Sequence, residues 1–212
     1  MKHSFGRTRM WELLNHEFLQ EIMVKYHYND CDKELLLRVA SDVRSCMKDQ
    51  ECYEIVWEDP SYADIALTLG VGIDCLQEKY GRADAVMKQC MVEHLCGELM
   101  MQQYGKLNEM LTEGIQCVVT GLHFWGAEEP YPISDMAKVL SKFRHIHLRC
   151  TRDDLLIPSK SVLYRVEFGK IEQQSSIIRW KEKGNHGTCR SMVCENCSRC
   201  WDGTCEQAEK NR

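Results

Sequence analysis

SYADIALTLGVGIDCLQEKYGRADAVMKQCMVEHLCGEL, residues 61–99, decides the fold class because its apolar period changes part-way. The first ten residues are apolar and β-prone, and Gly70 and Gly72 end them. That pattern predicts a strand or a buried extended run. From about residue 72 to 113 the apolar side chains return at helical steps, with Ala85, Met87, Met91, Leu95, Leu99 and Leu107 on one face. The spacing predicts one long amphipathic helix, broken at Gly105.

Upstream, MWELLNHEFLQEIMVK (10–25) places Trp11, Leu14, Phe18 and Ile22 on one stripe and predicts a helix. In YHYNDCDKELLLRVASDVRSCMKD, Asp32 is a candidate N-cap, and Leu35, Leu36, Val39, Val43 and Met47 form the buried stripe of a second helix. ECYEIVWE (51–58) is a short strand by composition. Downstream, IQCVVTGLHF (115–124) is a further strand, and PISDMAKVLSKFR (132–144) is a helix with Ser134 as its candidate cap. HIHLRC (145–150) and SVLYRVEFG (161–169) alternate as strands do. Few strands separated by unequal helices predict an α+β fold rather than a repeating βα sheet. After about residue 172 the periodicity fades, so we divide the chain into a core, 1–172, and a Cys-rich tail, 173–212.

The core is long enough to bury a sizeable apolar interior. Net charge is −5, from 27 basic against 32 acidic residues, and no basic block stands out. Bulk electrostatics therefore gives nucleic acid no foothold. The opening MKHSFGRTRMWELLNHEF holds no continuous apolar leader segment, and no stretch approaches the length needed to span a bilayer. The expectation is a cytoplasmic protein without a membrane partner.

A reducing compartment disfavours structural disulfides, and the 13 cysteines cannot all pair within the chain. Cys194, Cys197, Cys200 and Cys205 lie together in CENCSRCWDGTCEQ, with Cys189 upstream. Thiolates two residues apart can reach one metal, and four complete a zinc site or hold an iron–sulfur cluster. The tail is therefore read as metal-binding. The other cysteines, Cys31, Cys46, Cys52, Cys75, Cys90, Cys96, Cys117 and Cys150, fall mostly within predicted elements and are read as core packing. His145 and His147 share one face of their predicted strand, and His94 lies one helical turn from Cys90. Each pair is sterically able to chelate, but two ligands make no site, so structural roles are expected. No P-loop, dinucleotide fingerprint, nucleophile elbow or zinc-protease motif is present.

Several segments, in order, resemble one family. KYHYNDCDKELLLRVASDVRSCM resembles the opening helix pair of the activation-domain family of cobalamin (vitamin B12)-dependent methionine synthase, in its stand-alone bacterial form. IALTLGVGIDCLQEKYGRADAVMKQCMVEHLCGEL resembles the family's Thr-Leu-Gly turn and long central helix, and LLIPSKSVLYRVEFG its Pro-x-x-Ser-Val segment, at Pro158, Ser161 and Val162. A Cys-rich end is also found in stand-alone members. The resemblance covers about residues 20–205.

It implies a twisted antiparallel sheet flanked by helices. It also implies that the chain binds S-adenosylmethionine and docks on a corrinoid-carrying protein, with corrinoid reaching it only through that partner. The process served is reductive methylation of cobalamin oxidised to cob(II), with a reductant protein giving the electron. The family's ligand signature, Arg-x-x-x-Gly-Tyr, falls on LHFWGAEEPYPISDM. Aligned on Pro132-Ile133, His123 stands at the arginine and Ala127-Glu128 at the Gly-Tyr, while a one-residue gap uses Gly126 instead. A guanidinium can clamp a carboxylate with two parallel hydrogen bonds, and imidazole cannot. His123, Trp125, Gly126 and Tyr131 are therefore the candidate cofactor-binding residues, and no catalytic residue is assigned. The alternative is a non-catalytic metal-binding or interaction module that keeps the scaffold and has lost the ligand.

Overall fold

The computed structural model describes residues 2–115, 118–127 and 129–169. The chain divides into two units, 1–178 and 179–212, and every described residue lies in the first. The fold is α+β. Five strands form one antiparallel sheet: β1 (Lys2–Arg7), β2 (Cys52–Asp59), β3 (Tyr62–Thr68), β4 (Val118–Phe124) and β7 (Ser161–Gly169), in the order β1-β2-β3-β7-β4. A second, two-stranded piece pairs β5 (Arg149–Cys150) with β6 (Leu156–Ile157). The helices are α1 (His16–Lys25), α2 (Lys33–Met47), α3 (Val71–Arg82), α4 (Val86–Ile115) and α5 (Met136–Leu140).

Strand alternation gives the sheet two faces. Ile55, Ala63, Ile65, Leu67, Tyr164 and Val166 point to the first face and join the core made by α1 to α4. Ala66 and Leu163 point to the second, where Met136 and Val139 of α5 and Ile146 cover them. The centre of β3 is thus buried on both sides, which is why its sequence is apolar at nearly every position.

The long helical stretch is two helices, not one. The break is at residues 83–85, where Asp84 takes a positive φ of 51°, and Gly105 lies inside α4. Backbone N–H groups of Asp84 and Ala85 fold back to the carbonyls of Gly81 and Tyr80, closing α3 much as a helix C-terminus is usually closed. Met87, expected on the buried face, is exposed. Residues 10–25 also split: a 3-10 turn over Met10–Leu13 precedes α1, because the Asn15 side chain accepts from Phe18 N–H and starts a new helix. Ser134 is no cap. It lies within a 3-10 turn, Ile133–Asp135, that leads into α5.

The Thr-Leu-Gly turn after β3 has a direct physical reading. Gly70 sits at φ 91°, its N–H bonds to Thr68 Oγ1 at 3.1 Å, and a Cβ there would collide with Gln50. Only glycine fits that conformation and that approach. Among the described residues no helix is long and apolar enough to cross a membrane.

Candidate functional site

The second face of the sheet carries a buried charge cluster where the first carries an apolar core. Register places Asp64 of β3, Arg165 of β7 and His123 of β4 side by side across three strands. Arg165 donates through Nε and Nη2 to the two carboxylate oxygens of Asp64, at 2.8 and 2.9 Å. Lys142, just beyond α5, reaches Asp64 at 3.3 Å and Glu58 at 2.6 Å. The Asp64 side chain is 0% exposed and that of Arg165 17%. Burial alone would weaken the charged guanidinium, but Asp64 outweighs it and raises the arginine above its ordinary range. Lys142 is raised in the same way, burial being overcome by Glu58 and Asp64.

Aromatic rings surround the guanidinium. It lies 4.0 Å from the Tyr62 ring centroid, 5.3 Å from Trp125 and 5.8 Å from Tyr131. Tyr131 stacks on His123 at 4.7 Å and meets Trp125 edge-on at 5.2 Å. The Tyr131 hydroxyl donates to Glu167 Oε1 at 3.1 Å, and His123 Nε2 is 3.7 Å from Glu167 Oε2. The Trp125 indole N–H is buried and has no partner among the described residues.

The backbone explains how β4 brings these groups together. Its pairing with β7 shifts between Val119 and Gly121, an irregularity of the kind that re-aims a strand. Gly121 lies under the His123 ring, and a Cβ there would come within 2.8 Å of Nε2. Beyond Phe124 the chain turns at Gly126, at φ 90°, whose N–H donates to the Tyr131 carbonyl at 2.7 Å. That bond closes the 126–131 loop and brings Tyr131 back over His123. All four residues read from the sequence therefore meet: His123, Trp125 and Tyr131 through their rings, and Gly126 through its backbone.

Arg165, Asp64, Glu167 and Tyr62 complete the site and were not singled out from the sequence. The alternation of SVLYRVEFG puts Arg165 and Glu167 on one face, which is the legible part of the signal. Their meeting with Asp64 and His123 depends on strand order.

The predicted metal ligands Cys194, Cys197, Cys200 and Cys205, with Cys189 and Cys117, lie outside the described residues. Among the described residues no group of three or more His, Cys, Asp or Glu side chains is arranged to hold a metal. His145 and His147 are not on a strand, since pairing begins only at Arg149. The N–H groups of Arg144, His145 and Ile146 are instead turned onto the carboxylate of Glu54, at 2.8 to 3.1 Å. His94 is a packing residue: its ring stacks on Tyr26 at 3.7 Å, Nδ1 meets the Tyr28 hydroxyl at 2.7 Å, and burial lowers its pKa. Of the scattered cysteines only Cys96 is buried among those described; Cys31, Cys75 and Cys90 are exposed, contrary to the packing expectation.

No protein-family model matches the chain, and no curated protein matches it significantly.

Proposed function

We propose that the chain is an accessory protein of a corrinoid-dependent methyltransferase system of the methionine synthase type, acting in reductive reactivation of the corrinoid. On this reading the core has the activation-domain-like fold and binds S-adenosylmethionine on the second face of the sheet. One observation carries it: His123, Trp125, Gly126 and Tyr131 converge, with Arg165 and Glu167, at the stretch where the resemblance puts the ligand.

The residues present fit the group. S-adenosylmethionine carries a carboxylate, an ammonium, a sulfonium and an adenine. The site offers a fixed guanidinium, the Glu167 carboxylate and the rings of Trp125 and Tyr131, which suit cations and flat heterocycles. When bound, S-adenosylmethionine supplies the methyl group, while a separate reductant supplies the electron. The chain's own residues hold and orient the ligand beside a docked corrinoid protein. The tail thiolates of Cys194, Cys197, Cys200 and Cys205 would hold an iron–sulfur cluster or zinc, a reading supported by their spacing.

A second reading has its own support. His123 stands where the family has arginine, and its ring is stacked on Tyr131, so side chains of the protein fill part of the site. A scaffold that has lost the ligand would look like this. Calorimetric titration of the anaerobically purified full chain with S-adenosylmethionine separates the two. Saturable binding, with methylcobalamin absorbance appearing when a cob(II)-loaded corrinoid protein and a reductant are added, supports the first. No heat and no methylation support the second. Metal analysis of the same preparation and of a Cys197→Ala/Cys200→Ala variant tests the tail: equal metal content in both would rule out ligation there.

A further inference from the structure

We propose that Arg165 is the carboxylate receptor of this site and that Glu167 takes the adjacent ammonium, so that the site selects ligands with a zwitterionic amino-acid headgroup. The inference rests on the reading that S-adenosylmethionine binds on this face, and it names the residues that would recognise it.

Three features of Arg165 point this way. Its Nε and Nη2 are committed to Asp64, which fixes the plane of the guanidinium. Its Nη1 bonds to no described residue and is not among the buried unpartnered atoms, so this nitrogen keeps a donor open to a ligand. The rings of Tyr62, Trp125 and Tyr131 hold the group from its faces. A guanidinium pinned on one edge, with donors left at its tip, is prepared to receive a carboxylate with little ordering cost. In the register it stands directly opposite His123 on the neighbouring strand. The positive group missing at position 123 is therefore present one strand away.

Glu167 supplies the opposite sign two residues further along the same face. Its side chain is 46% exposed, and the Tyr131 hydroxyl donates to one of its oxygens. The charges fit the ligand as a whole. Arg165 and Lys142 are paired with the carboxylates of Asp64 and Glu58, and Glu167 adds a third carboxylate beside His123. Beyond those two pairs, the Glu167 carboxylate is a negative group turned to the side where the ligand's ammonium would lie. Opposed charge of this kind favours the correct partner and register.

The test compares S-adenosylmethionine with its decarboxylated form, by calorimetry, on the full chain and on Arg165→Gln and Arg165→Lys. The wild type should bind S-adenosylmethionine on the order of 10- to 100-fold more tightly than the decarboxylated ligand, the worth of one charge-assisted hydrogen bond. In Arg165→Gln that preference should vanish, both ligands binding at the weaker level, and Arg165→Lys should keep part of it. A merely structural arginine would weaken both ligands alike and leave their ratio unchanged. If the wild type binds both ligands equally, or Arg165→Gln keeps the preference, the assignment of Arg165 is overturned while the site remains. If the wild type binds neither, the site reading fails and takes this one with it. Should Arg165→Gln not fold, the wild-type ratio and Arg165→Lys still decide.

Discussion

The two faces of the sheet come from the same strands by the same alternation, yet they do different work. On β3, Ile65 and Asp64 are neighbours in sequence and both are 0% exposed. Ile65 enters an apolar core shared with four helices, whereas Asp64 enters a network of two cations and a second carboxylate. Buried ion pairs add little net stability, because desolvation offsets most of the attraction. An apolar second face under α5 would serve the fold as well. On the proposed reading these charges serve recognition, with the first face holding the sheet in the register that assembles them.

The largest effect is expected on the first face. Ile65→Ala should cost about 2–5 kcal/mol, the range for deleting a buried branched side chain, as read by denaturant unfolding. It should leave the ligand preference of the second face unchanged in whatever protein remains folded. Asp64→Ala should cost about 3 kcal/mol, because it leaves Arg165 and Lys142 without their shared partner. A neutral result for Asp64→Ala would mean that the charged face contributes no order to the site.

Two glutamates three residues apart sharpen the contrast through pH. Burial would raise the Glu54 carboxyl, but the N–H groups of Arg144, Ile146 and His145, with His3, outweigh it and hold the group below its ordinary range. Its stability contribution is present above the unfolded carboxyl range and is lost as pH falls through the lowered value. Glu51 is the reverse. It is 1% exposed, neither oxygen has a hydrogen bond of normal geometry to a described residue, and burial pushes its carboxyl up to about 7 despite nearby backbone N–H groups. The folded state holds that proton more tightly than the unfolded chain. This contribution is therefore complete below the unfolded value near 4.5 and is lost as pH rises to about 7. Glu51→Gln should stabilise the protein at pH 8 by about 2 kcal/mol and do little at pH 4. Destabilisation by this variant at pH 8 would mean that ionised Glu51 has a partner.

A smaller effect lies in the thiols. Cys96 is buried, and burial pushes its thiol up to about 12. Cys31, Cys75 and Cys90 are exposed. In native protein, Cys96 should label far more slowly than these three, and modification should be mapped by peptide. Labelling of Cys96 at their rate would show that α4 opens from the core.

These contrasts also mark what the sequence could tell. α1, α2, β2, β3, β4 and β7 were legible because each shows the apolar period of its own element. β1 was not. KHSFGR has no strand pattern, and it is a strand because it pairs residue by residue with β2, from Lys2 with Trp57 to Arg7 with Cys52. HIHLRC alternates like a strand, but Glu54 captures the N–H groups of residues 144–146, and the bend that results leaves only Arg149–Cys150 to pair. The site divides likewise. His123, Trp125, Gly126 and Tyr131 lie within nine residues and were found together, whereas Arg165 is 42 positions from His123 and reaches it through strand order.

Hydrogen–deuterium exchange with and without S-adenosylmethionine tests most directly that the charged second face is the binding site. Ligand should slow exchange in peptides covering 118–131 and 161–169, which carry His123, Trp125, Tyr131, Arg165 and Glu167. The α1 and α2 peptides on the opposite face should be unchanged. Protection of α1 and α2 instead, or no protection anywhere at saturating ligand, would contradict the account.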